Sequence, residues 1–138
     1  MLLDDIDELL TTGGMTDTFY KAWMPEQPDD CICLYETDGL GVIEAMSSGP
    51  GTNPLENPAA QMEIAGLQVI GRGSSFQTLR LSMQEVYTTL NGVQERTINS
   101  TRYSYITATQ VPSSVGRDDS GRSMIAQNFL LYKTLSTG

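Results

Sequence analysis

Residues 62–92 hold the pattern that most constrains the fold: a strand, a glycine turn and an amphipathic helix. The strand portion, residues 64–70, is rich in apolar and β-branched side chains, and glycines follow it. Ser74 or Ser75 can accept hydrogen bonds from the free amides of a helix N-terminus, and Gly92 can end the helix in a left-handed conformation. Apolar side chains recur between these points at steps of three and four, which predicts one buried helical face: Phe76, Leu79, Met83, Val86, Tyr87 and Leu90.

The rest of the chain supplies a second helix and further strands around this unit. Residues 2–10 have the spacing of a short amphipathic helix, and its four acidic residues, Asp5 among them, are expected on its solvent side. Strands are predicted wherever β-branched and aromatic residues cluster between glycine, proline or polar turns. The stretches with this pattern are residues 18–24, 31–35, 42–46, 93–98, 101–111 and 122–135.

Alternation within the last two strands predicts which side chains are buried. Tyr103 and Tyr105 are expected on one face of their strand and Ile106 on the other, while Gln127 shares a face with four apolar residues of the last strand. Element order and pattern together predict an α+β fold. We expect a single mixed, largely antiparallel β-sheet with two helices packed on one face.

The chain is long enough for one domain, residues 1–138, with a single core. Two polar segments interrupt its regular patterns. Residues 47–60 contain three prolines and two glycines, Pro50 and Pro54 among them, with Asn53 between. Such a long loop in a compact domain is usually functional or disordered, so it is either a surface excursion or an arm that orders against a partner. Residues 112–121 form a second predicted loop.

The charge is strongly acidic and unevenly placed. The net charge is −9, and the first 63 residues hold 13 of the 17 acidic residues but one of the eight basic residues. An acidic chain repels the phosphate backbone, so tight nucleic-acid binding is disfavoured. The asymmetry either serves solubility or provides opposed surfaces through which copies associate. Charged residues make up 18% of the chain, which also suits extensive subunit contact, because interface cores are poor in charge.

Catalytic and metal-binding patterns are missing from the sequence. The chain has no histidine, which removes the commonest general base and metal ligand. Cys31 and Cys33 lie two apart on a predicted strand and are expected to be buried thiols. The acidic pairs at residues 29–30 and 118–119 could be imagined around a divalent cation, but such pairs are more often turn-forming. We therefore expect no enzymatic activity, no cofactor and no metal, and the chain has neither a signal-peptide pattern nor a membrane-spanning apolar run.

Charges of alternating sign lie together in residues 117–122. Arg117 and Arg122 flank Asp118 and Asp119 at a predicted hairpin tip, where side chains can reach outward. The segment is either bridged locally or an ion-pair strip that sets the register of one subunit on the next. We take the second alternative as the working hypothesis for an interface, together with the loop residues Pro50, Asn53 and Pro54.

Several motifs, taken in order, resemble those of the phage tail terminators, which are often filed as phage minor capsid proteins. An acidic N-terminal helix is followed by the segment 25–36, which reads Pro-x-x-Pro-Asp-Asp-Cys-Ile-Cys-Leu-Tyr-Glu. Residues 56–58 and the strand at 67–73 come next. After the main helix come residues 111–112, the charged segment 117–122 and residues 128–129. The resemblance therefore spans nearly the whole chain.

This resemblance implies a structural virion protein, made in the bacterial host cytoplasm, that caps a finished tail tube as a ring, usually of six copies. Its partners would be its own copies, the tail tube protein and the head-completion or connector protein, to which the ring presents a joining surface. DNA would pass through without specific binding. A head-completion or stopper protein of the neck is the nearest alternative. A small cytoplasmic enzyme on a ferredoxin-like sheet is a more distant one and would need a pocket with perturbed acids.

Overall fold

The computed structural model describes residues 2–15, 17–44, 61–99 and 101–134. Within these ranges the chain forms two helices and one seven-stranded sheet, in agreement with the predicted α+β class. Neither described helix is long and apolar enough to cross a membrane. In chain order the elements are α1 (Leu2–Thr12), β1 (Phe19–Lys21), β2 (Cys31–Glu44), β3 (Gln61–Gly73), α2 (Phe76–Leu90), β4 (Gln94–Ile98), β5 (Thr101–Ala108), β6 (Ser113–Arg117) and β7 (Ser123–Thr134).

The sheet is mixed and largely antiparallel, as predicted. Its strand order is β1-β2-β3-β7-β5-β4, and β6 pairs with β7 beside this path. The β1–β2 pair is parallel, and the other pairs are antiparallel. Both β5 and β6 lie along the same side of β7: β6 pairs with residues 123–126 and β5 with residues 129–133. The sheet therefore has outer edges at β1, β4 and β6.

One hydrophobic core joins both helices to a single face of the sheet. Helix α2 begins after Ser75, whose hydroxyl accepts a hydrogen bond from the Thr78 amide at 3.4 Å. A Cβ at Gly71 would lie 2.6 Å from the Met83 sulfur, so the glycine lets α2 pack closely on β3. Phe76, which the periodicity placed in the buried stripe, is instead 45% exposed. The buried residues of α2 are Leu79, Met83, Val86 and Leu90.

The prediction that Asp5 faces solvent is wrong. Asp5 is 1% exposed, because the β4–β5 hairpin lies against this side of α1. Its carboxylate accepts hydrogen bonds from the Tyr103 hydroxyl at 2.5 Å and from the side-chain amide of Asn99 at 2.9 Å. Burial, together with the neighbouring Asp5, raises the pKa of Tyr103 above its ordinary value. This buried pair ties the N-terminal helix to a hairpin almost 100 residues away in sequence.

A backbone irregularity in β5 overturns the predicted alternation. The pairing of β5 with β7 shifts register between Tyr103 and Tyr105. As a result Tyr103 and Ile106 both enter the core, while Tyr105 is 38% exposed. A bulge inserts one residue into a strand and exchanges the faces of the residues that follow it. In β7 the alternation holds: Gln127 is buried among apolar neighbours, as predicted, and its amide donates to the Met83 carbonyl at 3.0 Å.

Three boundaries differ from the sequence-based predictions. Strand β1 is shorter than the predicted 18–24, because Ala22 has a φ of 67° and leaves the strand conformation. Strand β2 joins the two predicted strands 31–35 and 42–46 into one, with an irregularity between Thr37 and Gly41. The predicted loop at 112–121 contains β6, which forms by pairing with β7 despite its polar sequence. The predicted loop at 47–60 lies outside the described residues.

Candidate functional site

The charged segment singled out in the sequence forms the turn between β6 and β7. The Gly121 amide donates to the Asp118 carbonyl at 3.0 Å, and the Asp118 amide donates to the Arg122 carbonyl at 2.9 Å. The Asp118 carboxylate also accepts from the amides of Ser120 and Arg122, at 3.0 and 2.8 Å. Asp118 therefore orders the turn through its own backbone contacts, which is a common role of aspartate in turns.

Arg122 binds Asp118 and then reaches across to a second part of the chain. Its Nε donates to the Asp118 carboxylate at 2.7 Å, and its Nη1 donates to both the Glu26 carbonyl at 2.7 Å and the Asp29 carboxylate at 3.1 Å. Partial burial raises the pKa of Asp118, but the hydrogen bonds from Arg122 outweigh it and hold that pKa below its ordinary value. The arginine therefore joins the turn to the segment before β2.

Arg72 holds the same segment from the end of β3. It is 4% exposed, and its guanidinium donates to the backbone carbonyls of Asp29, Glu26 and Pro28 at 3.2, 3.2 and 2.8 Å. We call Arg72, Arg122 and residues 26–30 the arginine clamp. A third contact lies at the end of the clamp segment, where the Asp30 carboxylate accepts from the Ser74 amide at 3.0 Å. The clamp fixes a proline-containing connector against both the sheet and the start of α2.

The four charged residues of the proposed interface, Arg117, Asp118, Asp119 and Arg122, differ in their exposure to solvent. Arg117 and Asp119 are exposed, and Asp118 is half-buried. The expectation that both arginines reach outward is wrong for Arg122, which is 7% exposed and whose guanidinium is engaged within its own chain. Contact of these residues with a neighbouring subunit stays a prediction. The other three predicted interface residues, Pro50, Asn53 and Pro54, lie outside the described residues.

The imagined cation cluster is organised around an arginine instead. A divalent cation site would need Asp118 and Asp29 to lie close together, and they do. Both carboxylates, however, bind the guanidinium of Arg122, which lies between them. Within the described ranges, no group of three or more histidine, cysteine or acidic side chains could hold a metal ion.

The two cysteines are buried free thiols, as the sequence indicated. Burial, with the neighbouring Cys31, raises the pKa of Cys33 to about 12. A thiol with such a pKa is a weak nucleophile at neutral pH. Cys31 also lines a cleft between the clamp segment and α2, together with Arg72 and Leu79. The hydrogen bonds of Arg72 in that cleft go to backbone carbonyls of its own chain.

Sequence reasoning missed Arg72 and Glu26 as members of the arginine clamp. A signal for Arg72 was present, since an arginine lies between two glycines at the end of a mainly apolar strand. Such a charge must either face solvent or find polar partners. No comparable signal marked Glu26, which contributes mainly its backbone carbonyl.

Comparison with known proteins gives matches that cover nearly the whole chain. A family model described as bacteriophage tail terminator protein matches residues 3–134. Among solved structures, a chain from the virion of a native gene transfer agent particle has 14% sequence identity and a TM-score of 0.57. The similarity covers 96% of this chain and 93% of that one. At this identity it supports the fold alone, and no curated protein sequence matches.

Proposed function

The chain belongs to the bacteriophage tail terminator family, and we propose that it closes the completed tail tube as a ring of identical subunits. Family membership makes it a structural tail protein of the virion. The observation that carries the finer proposal is the span of the family match, residues 3–134, which includes α2, every described strand and all but the first residue of α1. The match therefore applies to the whole fold and not to one motif.

The proposed ring holds six copies and has two working surfaces. One surface meets the last ring of tail tube protein, and the other forms the joining surface for the head-completion or connector protein. A closed ring requires head-to-tail contacts between different surfaces of neighbouring subunits. The uneven charge supports such contacts, because 13 of the 17 acidic residues lie in the first 63 residues while seven of the eight basic residues lie in the remainder.

DNA passes through the ring without being held, and the protein carries out no chemistry. The net charge of −9 favours repulsion of the phosphate backbone over binding. The buried thiols are poor nucleophiles at neutral pH, and the buried arginines Arg72 and Arg122 are used to hold the clamp segment. The family match favours this reading over a head-completion protein of the neck and over a small cytoplasmic enzyme.

Binding to isolated tail tubes tests the proposal. Tubes assembled without this protein are mixed with purified, gold-labelled protein and imaged by negative-stain electron microscopy. We expect label at one end of each tube, with a ring visible in end views. Label along the tube walls, or none on the tubes at all, would argue against a terminator. The same tubes incubated with labelled tube protein serve as the control for an end that is still competent to grow.

A further inference from the structure

The chain has a single tryptophan, and that side chain lies at the edge of the sheet with its ring in solvent. Trp23 follows β1 and is 59% exposed. Its ring packs edge-on against Tyr20, with 6.2 Å between the ring centroids. Tryptophan is highly buried on average in folded proteins. Where it is exposed, it is typical of protein contacts, in which it contributes more binding energy than most residues.

The backbone keeps Trp23 out of the domain. Side chains alternate between the two faces of a strand. Phe19 enters the core and Lys21 binds two aspartates of α1, so regular alternation would direct Trp23 to the same side. Ala22 instead has a φ of 67°, which is unfavourable for a residue other than glycine. A strained residue that holds a large aromatic ring on the surface favours a function for that exposure.

Acidic residues accompany this aromatic pair. Residues 17–30 contain four acidic residues and one lysine, and α1 already binds that lysine. Asp17 is exposed and lines the same cleft as Tyr20. The side chain of Glu26, three residues beyond Trp23, has 83% of its surface exposed. A partner for this surface therefore needs an apolar recess for the indole ring and a positive charge beside it.

The outer surface of α2 has the complementary chemistry. Arg80 and Leu81 line an open hollow there, and Leu81 is 70% exposed. Between Glu63 and Glu85 the sequence has two arginines and no acidic residue, and one of the two, Arg72, is buried in the clamp. Arg80 is exposed and takes part in no ion pair within the part of the chain that the structure describes. An arginine guanidinium stacks favourably on the face of a tryptophan ring, and a neighbouring leucine supplies apolar area.

We propose that Trp23 of one copy of this chain docks in the hollow at Arg80 and Leu81 of the next copy, and that this contact joins neighbours in the assembly. The inference rests on the proposed ring and deepens it by naming the subunit contact. The indole ring lies against the Arg80 guanidinium and the Leu81 side chain. The acidic residues Asp17 and Glu26 lie beside the ring and complement the same arginine.

The positions of the two surfaces identify the occupant as a second copy. Alternation directs Tyr20 away from the helices, because Phe19 and Lys21 on either side of it face them. Leu81 lies on the outside of the helix layer, since the residues of α2 that face the sheet are the buried ones. The two surfaces therefore belong to opposite layers of the domain. Contact between different surfaces of identical copies is head-to-tail, which is the geometry that a ring requires.

Because Trp23 is the only tryptophan, its fluorescence reports on the contact in the wild-type protein. Quenching by acrylamide, which requires access to the indole ring, is measured over a concentration series, with association followed by analytical ultracentrifugation. On tail tubes the protein is labelled with 5-hydroxytryptophan, which is excited at wavelengths that ordinary tryptophan in the tubes does not absorb. Electron microscopy of the same samples shows whether rings have formed.

Two variants remove opposite halves of the contact. Trp23→Ala keeps the α2 surface, and Arg80→Glu keeps the tryptophan. Both positions are exposed, so thermal unfolding of each variant should match the wild type, and Arg80→Glu carries the test if Trp23→Ala melts at a lower temperature. Val111→Ala is the control for the loss of an exposed apolar side chain, because Val111 is 61% exposed. Arg96→Glu is the control for charge, since Arg96 is exposed on β4.

We expect Trp23 to become protected from acrylamide on assembly. Trp23→Ala and Arg80→Glu should each weaken association by roughly tenfold or more, while the two controls associate as the wild type does. A mixture of Trp23→Ala with Arg80→Glu should associate where neither does alone, because together they retain one intact contact. The tryptophan in that mixture belongs to the Arg80→Glu copy alone, and its quenching should fall when the Trp23→Ala copy is added.

A wild-type ring whose tryptophan stays as open to acrylamide as in the monomer overturns this contact and leaves the proposed function standing. The same conclusion follows if both variants associate as the controls do. Protection of Trp23 on tubes that Arg80→Glu leaves unchanged would assign the tryptophan to the tube protein and overturn the second copy as its occupant. Absence of any ring of wild-type protein, both alone and on tubes, overturns the contact and the proposed function together.

Discussion

Replacement of Tyr103 by phenylalanine isolates the hydrogen bond that fastens α1 to the rest of the domain. Tyr103 is completely buried, and its hydroxyl donates to the Asp5 carboxylate at 2.5 Å. Phenylalanine keeps the ring and leaves no cavity larger than the lost oxygen. Asp5 retains its contact with the Asn99 amide but loses the shorter of its two hydrogen bonds. The change therefore removes one interaction of a buried charged group and little else.

The expected cost follows from that geometry. A hydrogen bond to a charged group contributes about 1.5–3 kcal/mol to stability, and an acceptor left under-satisfied in the interior adds to the loss. Because the Asn99 contact remains, we expect the free energy of unfolding to fall by about 2 kcal/mol. For a domain of this size that corresponds to a decrease of roughly 6–10 °C in melting temperature.

Thermal unfolding followed by circular dichroism and calorimetry measures this change. Tyr105→Phe is the control, since Tyr105 lies two residues away and is 38% exposed, so its effect should stay within about 0.5 kcal/mol. A double-mutant cycle of Tyr103→Phe with Asp5→Ala gives the coupling energy between the two side chains. Equal melting temperatures for wild type and Tyr103→Phe, or a coupling energy near zero, would refute the assignment of this contact.

Three further predictions concern the core, the thiols and the clamp. Val86→Asp places a carboxylate at a fully buried position of α2 and should prevent cooperative folding. Gln84→Asp, on the exposed side of the helix, should melt normally. A cooperative calorimetric transition for Val86→Asp would show that the buried face is misassigned. In the unfolded chain the Cys33 thiol ionises near its ordinary pKa of 9.0, while burial raises the folded pKa to about 12. The stability of the wild type should therefore decline between pH 9 and 12, and that of Cys33→Ala should decline less steeply in urea titrations. Equal slopes of stability against pH would exclude the thiol as a cause. Arg122→Ala should lower the melting temperature clearly more than Arg117→Ala, because the buried Arg122 side chain holds residues 26–30 through part-buried contacts. Equal shifts in a thermal scan would mean that the clamp adds nothing to stability.

Local patterns were sufficient to predict the helices and the central strands. The spacing of three and four in α2, its serine cap and its terminal glycine are consequences of helix geometry that any chain must satisfy. Four of the six residues in the predicted stripe are buried. The prediction that Phe76 is buried is wrong because this residue lies in the first turn of the helix, beyond the part that packs on β3 and β7.

The faces of β5 and the presence of β6 depend on pairing, which local patterns do not record. The bulge between Tyr103 and Tyr105 is set by the register of β5 on β7, so simple alternation assigned both tyrosines to one face. Strand β6 has no buried side chain and therefore no alternating signal. It is a strand because β7 offers it an edge, and its polar sequence is typical of a loop.

The candidate site was predictable in part. The sequence identified residues 117–122 as a charged turn, and the structure forms that turn. Asp118 is bridged locally to Arg122, which was the alternative to the working hypothesis of an intersubunit strip. The partners that bury Arg122 lie more than 90 residues earlier in the chain, beyond the reach of any local pattern. The same distance in sequence separates Asp5 from Tyr103, which explains why an acidic residue on a short helix was expected to face solvent.

The length of the tails made without this protein tests the central claim most directly. A stop codon early in its reading frame removes the protein, and negative-stain micrographs of the resulting lysate give the distribution of tube lengths. The account predicts tubes that overgrow or remain unjoined to heads, with normal tails restored when the wild-type protein is supplied in trans. Tailed particles of normal length and normal head attachment in the absence of the protein would contradict it.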